Sequence, residues 1–481
     1  MTGENNTRIE KDTMGEMTVP ADALYGASTQ RAVENFPISG RTVPGAIFYA
    51  FGHLKACCAA VNRELGRLND ARADAIIQAA GAIGQGKHHE HFPVDIFQTG
   101  SGTSTNMNAN EVIANLICVA NGAPIGSSKN ADYIGDAETG RGVHPNDHVN
   151  MGQSSNDTFP TAIHIAAAYD IKNHLTPAIE KLGKALETKA QAWDEIVKIG
   201  RTHLQDATPI RLGQEFSGYA QQMRHAERRA HQALEALCEL PIGGTAVGTG
   251  INTHPEFGRR VAEKLAERLD IPFEEAHNHF EAQHAKDAVV EASGHLKTIA
   301  ISLSKIANDI RWLGSGPRCG IGELKLQATQ PGSSIMPGKV NPVMCEMAVQ
   351  VACQVMGNDA AINFGAFGGV GSILDLNVAM PMMADNLIES IHLLARACDV
   401  FSDKCIEGLE PDAKRCEELI EGSLAMCTSL VPVIGYDKSA AIAKKAYAEG
   451  KTVRQVAIED GVLSAEQLNE LLDPESMTRA H

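Results

Sequence analysis

Apolar residues recur at spacings of three and four along three long stretches of the chain. Phe216, Tyr219, Met223, Ala226, Ala230, Ala233 and Leu237 make the first. Leu296, Ile299, Leu303, Ile306, Ile310 and Leu313 make the second, inside a segment without proline from Phe273 to Gly316. Met383, Leu387, Ile391, Leu394, Cys398 and Phe401 make the third. Each predicts a long helix with a narrow apolar seam. Frequent alanine in the seams allows the close approach of a helical bundle. Shorter helices are expected over 53–65, 71–83 and 343–355. Val19-Pro20-Ala21-Asp22 and Asn35-Phe36-Pro37 read as loops or extended pieces. Past residue 409 the chain returns to short helices, and 452–472, broken by Gly450 and Gly461, reads as a helical tail. The expected class is mainly α, in three domains: a mixed, mostly helical 1–149, a long-helix bundle at 150–409 and a small helical 410–481.

Dense polar loops interrupt this pattern. The richest is Gly332–Pro342, G-S-S-I-M-P-G-K-V-N-P. Gly332 and Gly338 open backbone conformations closed to other residues, and Pro337 and Pro342 fix φ. Asn341 followed by Pro342 reads as a helix cap and first helical residue, so the Lys339 ammonium and the Asn341 amide fall where a helix N-terminus favours an anion. A capped loop and an oxyanion-binding catalytic loop both fit, and the packing of Ser333, Ser334, Lys339 and Asn341 into so few residues favours the second. In Gln98–Asn110, Gly100-Ser101-Gly102-Thr103 can cradle a carboxylate, or simply form a loop before a helix from Asn110. In Gly152–Asp157, Asn156 or Asp157 can cap a helix with Pro160 in its first turn; alone, that is capping only. Thr202-His203-Leu204-Gln205 lies between helical runs, where a histidine is ordinarily a satisfied structural group. It gains interest from the other polar loops. His144-Pro145-Asn146-Asp147 reads as a turn.

Composition narrows the partners. A chain of 481 residues with 43% hydrophobic and 21% charged residues can bury large cores. Its net charge of −17 argues against nucleic acid or an anionic membrane surface, and an anionic substrate would need a local cluster of donors. Eleven cysteines without a C-x-x-C read as reduced thiols with no iron–sulfur spacing. His88, His89 and His91 lie close together, but no carboxylate or thiol completes them at helical spacing, and they read as solvated surface. A polar N-terminus and the lack of a bilayer-length apolar run make a cytoplasmic location the expectation.

Taken together, the loops resemble the aspartase/fumarase superfamily and, within it, the class II (iron-independent) fumarases. The resemblance rests on R-I-E-K-D-T-M-G-E at Arg8–Glu16, V-P-A-D-A-L-Y-G-A at Val19–Ala27, Q-T-G-S-G-T, H-P-N-D and Q-S-S-N-D. It continues through G-R-T-H-L-Q-D-A at Gly200–Ala207, G-G-T-A-V-G-T-G at Gly243–Gly250, S-G-P-R-C-G at Ser315–Gly320 and the Gly332–Pro342 loop. Aspartases share that loop but usually carry Gln at the place of His203 and Ala at the place of Gly338. Aspartate ammonia-lyase, releasing fumarate and ammonia, is therefore the alternative reading.

The resemblance implies a three-domain, nearly all-α homotetramer with active sites shared between subunits. It also implies reversible hydration of fumarate to L-malate in the tricarboxylic acid cycle, with no metal or organic cofactor. By similarity, Ser333 takes the carbon proton. Lys339 and Asn341 stabilise the aci-carboxylate, and His203, paired with Glu346, handles the proton of water. Ser101, Gly102, Thr103, Ser154, Ser155, Asn156, Thr202 and Ser334 would hold the substrate carboxylates, and His144, Asn146 and Asp147 a secondary dicarboxylate site. Three places depart from the family pattern: the Gly-rich segment between Asn115 and His144, His148 where an acidic residue is commoner, and the looser G-A-F-G-G-V-G at Gly365–Gly371. The first two lie beside the secondary site.

Overall fold

The computed structural model describes residues 6–135 and 140–480. Its secondary structure is dominated by helices, and among the described residues strands occur only as two-stranded pairs. The apolar seams fall on the helices Leu212–Ala236, Asp287–Leu313 and Met380–Phe401, with Leu237 just beyond the first. Every seam residue named above is at most 5% exposed. The second helix starts well before Leu296 because Val289 and Ala292, both fully buried, continue its seam. The helix expected to end near Val355 runs from Val343 to Ala366. The chain divides into two compact units, and the divisions fall inside the long helices.

One unit comprises Met1–Thr176, Arg229–Thr298 and Cys353–Leu394. Its Gly45–Glu64 helix is buried on nearly every side, by Phe48, Phe51, Leu54, Cys58 and Val61 among others, as expected of an interior helix. It packs against Asp70–Gly84, which starts on an Asn69 side chain accepting the Arg72 N–H. Thr7–Asp12 pairs antiparallel with Gly15–Pro20. The nearly inaccessible Glu111 carboxylate accepts the N–H groups of Gly26, Ser28 and Thr29, which ties the Val19–Ala27 motif to the helix Thr103–Ala120.

The other unit comprises Pro177–Arg228, Ile299–Ala352 and Ala395–His481. Thr202–Gln205, expected between helical runs, closes a β-hairpin of Val197–Thr202 with Gln205–Arg211. Val197 and Ile199 sit two apart on one strand, and that short alternation is easily lost beside long helices. Arg201 forms two 2.9 Å bonds to the carboxylate of Glu323, which is wholly buried, and Lys198 closes on the same carboxylate at 3.2 Å. The tail forms its own core of Ile420, Leu430, Ile442, Val456 and Leu468. Its helices Val453–Glu459 and Ala465–Leu471 both start on reciprocal caps, Thr452 with Gln455 and Ser464 with Gln467.

The cysteines are unpaired and mostly buried. Among the described residues no helix is long and apolar enough to cross a membrane.

Candidate active site

In the first unit two of the polar loops meet. The helix expected from Asn110 begins at Thr103, so most of the polar run is its first turns. Gly102 precedes it with φ 73°, and a Cβ there would stand 2.1 Å from the Phe159 ring. Only glycine fits at this position. The Ser101 and Thr103 hydroxyls are 2.9 Å apart, and Thr103 lies 2.7 Å from the hydroxyl of Ser155. Three hydroxyls from two separate loops thus form one chain of donors.

Ser154, rather than Asn156 or Asp157, caps the helix Ser155–Asp170 by accepting the Asn156 N–H, and the Asp157 carboxylate takes the Ser154 N–H in return. Pro160 therefore lies in the second turn, past the unpaired N–H groups. Asp157 also accepts the N–H groups of Gly243 and Thr245, and Asn156 donates to the Ala246 carbonyl at 2.8 Å. The Gly243–Gly250 motif thus clamps the serine loop from outside. Burial pushes the Asp157 carboxyl up to about 7, opposed by its three backbone donors.

Beneath this loop lies a group that the sequence reading does not single out. Lys55 is completely buried, and its Nζ meets Asn106 Oδ1 at 2.8 Å, Asn150 Oδ1 at 3.0 Å and Gln153 Oε1 at 2.9 Å. Burial pushes the ammonium down to about 7, with Cys58 and Asp157 acting against it. A signal is present in the sequence, since Lys55 stands on the apolar face between Phe51 and Cys58.

In the second unit the Gly332–Pro342 loop is closed on itself. Asn341 does not cap the following helix. Its amide donates to the Gly332 carbonyl, and the Pro342 carbonyl accepts the first helical bond, from Glu346 N–H. A Cβ on Gly332 would lie 2.0 Å from the Lys339 carbonyl oxygen, so the two ends of the loop touch only because that residue is glycine; Gly338 takes φ 78°. The hydroxyl of Ser333 accepts two backbone N–H groups, Ile335 at 3.2 Å and Met336 at 3.0 Å. Ser334 and Lys339 are exposed, and Glu346, in the first turn of Val343–Ala366, is half-buried.

His203 and Leu204 are the two central residues of the hairpin turn, with φ of 57° and 58°. Positive φ at both positions is the mirror-image turn suited to a two-residue hairpin, normally filled by Asn-Gly. Histidine and leucine there cost backbone energy, on the order of 1 kcal/mol each, and such strain gathers at functional sites. Thr202, at the end of the incoming strand, and His203 are exposed. Among the described residues the side chains of His203, Lys339 and Glu346 have no hydrogen-bond or ion-pair partner.

His144, Asn146 and Asp147 share one short turn. The His144 Nδ1 accepts the N–H groups of Asn146 and Asp147, and burial lowers its pKa. The neighbouring His148 accepts the His144 N–H and is pushed down to about 4 by burial and by Arg72. Residues 136–139 of the Gly-rich segment lie outside the described residues. At His88 and His91 the structure corrects the sequence reading, because Glu90 does bring a carboxylate within 4.8 Å of both rings. However, His91 Nδ1 accepts the Leu24 N–H, which leaves the ring proton of the neutral imidazole on Nε2, the atom facing Glu90. A ligating histidine needs that lone pair free. A second group, Glu239, Glu274 and His277, is mostly exposed.

Residues 15–357 match the family described as Lyase, and 426–479 match that described as Fumarase C C-terminus. A protein of Corynebacterium glutamicum named fumarate hydratase class II is 53% identical over 97% of this chain and 94% of its own length. One of Neisseria meningitidis with the same name is 51% identical over 98% and 99%. The chain belongs to the class II fumarate hydratase family. The structure of a class II fumarase from Schistosoma mansoni superposes with a TM-score of 0.93 at 37% identity, covering 99% of this chain and 100% of that one. The chain therefore has the mainly α aspartase/fumarase fold, and the family's C-terminal match coincides with the tail that carries its own core.

Proposed function

We propose that the protein catalyses the reversible hydration of fumarate to L-malate. One observation carries this reading: the identity of 53% with a fumarate hydratase extends over 97% of the chain, so it includes every polar loop described above. The chemistry of those loops supports it. Forming malate from fumarate adds hydroxide to one carbon and a proton to its neighbour, through a doubly charged aci-carboxylate that needs fixed donors where charge develops.

In this proposal Ser333 exchanges the proton on carbon. Serine is a poor base, but two N–H groups already point at its oxygen and would carry part of the charge of an alkoxide. Lys339, without a competing anion, lies six residues along the same loop and stabilises the dianion. Asn341 holds the loop closed through Gly332 and keeps a second amide hydrogen for substrate. His203 transfers the proton of water, with Glu346 as its partner. The hydroxyls of Ser101, Thr103, Ser154 and Ser155, with Asn156, Thr202 and Ser334, take the two carboxylates. His144, Asn146 and Asp147 hold a dicarboxylate at a secondary site. The active protein is a cytoplasmic homotetramer in which several subunits contribute loops to each site.

The test is direct. Purified protein given L-malate, with a chelator present, raises ultraviolet absorbance as the conjugated double bond of fumarate forms. No conversion in either direction overturns the proposal. Ammonia release from L-aspartate without malate turnover would instead identify an ammonia-lyase.

A further inference from the structure

Lys55 carries a feature that ordinary packing does not explain. Three amide oxygens approach its Nζ within 3.0 Å, a geometry that calls for three N–H donors and so favours the ammonium against the burial that opposes it. A neutral amine would turn its lone pair towards one of those oxygens. Yet none of the three partners is an anion, although burying an unpaired charge costs several kcal/mol. Asp157 acts on Lys55 through space but makes no direct contact with it, its carboxylate being engaged by three backbone N–H groups.

The three amides explain where that charge is placed. Asn106 is one helical turn beyond Thr103, and Gln153 immediately precedes Ser154. Asn150 receives N–H bonds from both Asn106 and Asn110 and donates to the Gln153 carbonyl at 3.1 Å. Asn106 also accepts the hydroxyl of Thr158, in the first turns of Ser155–Asp170. The network therefore grips both elements that bear the hydroxyl chain Ser101–Thr103–Ser155, and it does so from the buried side.

We infer that Lys55 is a positioning residue for the dicarboxylate: its ammonium sets the spacing of the two hydroxyl-bearing loops and supplies, from behind them, the positive charge that a bound carboxylate completes. This rests on the proposed hydration of fumarate and deepens it. An ammonium whose direct partners are all neutral oxygens, with Asp157 acting only through space, gains a further counter-charge when an anion arrives in front of the hydroxyls. In this inference the carboxylate held at these hydroxyls is the one whose charge does not change during the reaction, so Lys55 serves binding more than the chemical step.

The experiment is steady-state kinetics on full-length Lys55→Met, which keeps the length of the side chain and removes the charge. A rise in KM of about tenfold for both fumarate and L-malate, with kcat within about threefold of the parent, is the expected result. A folded Lys55→Met protein with unchanged KM, or with a lost kcat and unchanged KM, overturns the inference. Should Lys55→Met not fold, Gln153→Met removes one of the three oxygens and leaves the lysine; KM then rises about threefold, and an unchanged KM overturns the inference. Turnover by the parent protein in the same assay reports separately on the hydration reading.

Discussion

The serine loop at Ser154–Asn156 and the loop at Gly332–Pro342 bear similar side chains in opposite states. Around the first, Asp157 and Lys55 are both fully buried, each satisfied by three partners, and the Ser101, Thr103 and Ser155 hydroxyls already bond to one another. In the second, Ser334 and Lys339 stand in the open, and the lysine has no partner among the described residues. A carboxylate that is merely held profits from groups fixed in advance, because ordering them at binding would cost affinity. A donor that must meet charge that exists only briefly works best when it is held in place but has no competing anion to displace.

That contrast can be broken by substitutions whose effects should separate cleanly into rate and stability. The largest effect is expected for Ser333→Ala, a loss of about a thousandfold or more in kcat with an unchanged melting temperature. A variant of nearly normal rate would remove Ser333 from the chemistry. Asp157→Ala leaves three buried N–H groups unpaired and should cost about 2–4 kcal/mol of stability, read by denaturant unfolding. A melting curve like that of the parent would mean the serine loop is not held as described. His203→Asn should lower kcat by about tenfold to a hundredfold and change the pH profile, without unfolding the hairpin, since asparagine tolerates positive φ.

The smallest effect concerns acid. Burial pushes His53, His148 and His164 down to about 4, whereas an unfolded histidine titrates near its ordinary value of 6.5. Between these values the unfolded chain binds more protons, so stability is full above 6.5 and falls as pH drops towards about 4. His164, fully buried with Nδ1 2.8 Å from the Glu239 carbonyl, should dominate. Melting temperatures of His164→Asn should therefore fall less steeply across that window than those of the parent. Parallel slopes would assign the acid sensitivity elsewhere.

Much of this is legible in the sequence, and the misses have identifiable causes. The long helices are readable because the seams from Phe216, Leu296 and Met383 hold a strict period over many turns. The start of Thr103–Ala120 is hidden by Asn106, Asn108 and Asn110, poor helix formers whose side chains are occupied by tertiary partners such as Asn150 and the His91 carbonyl. Asn341 looks like a cap, but a carbonyl nine residues earlier takes its amide. The hairpin at His203 escapes notice because its turn lacks the usual Asn-Gly. Catalytic candidates are visible as dense polar loops and through their resemblance to a known family. Lys55 is not, because its role depends on amides contributed by distant segments.

The mirror-image turn at His203 and Leu204 has a consequence for how this sequence can drift. At position 204 glycine, asparagine or aspartate would sit more comfortably than leucine, while valine or isoleucine would face a steeper penalty than in an ordinary loop. Neutral variation there should run towards small, flexible or amide-bearing residues. At 203, where the proposed proton transfer calls for an imidazole, the same backbone leaves few acceptable neighbours in sequence space.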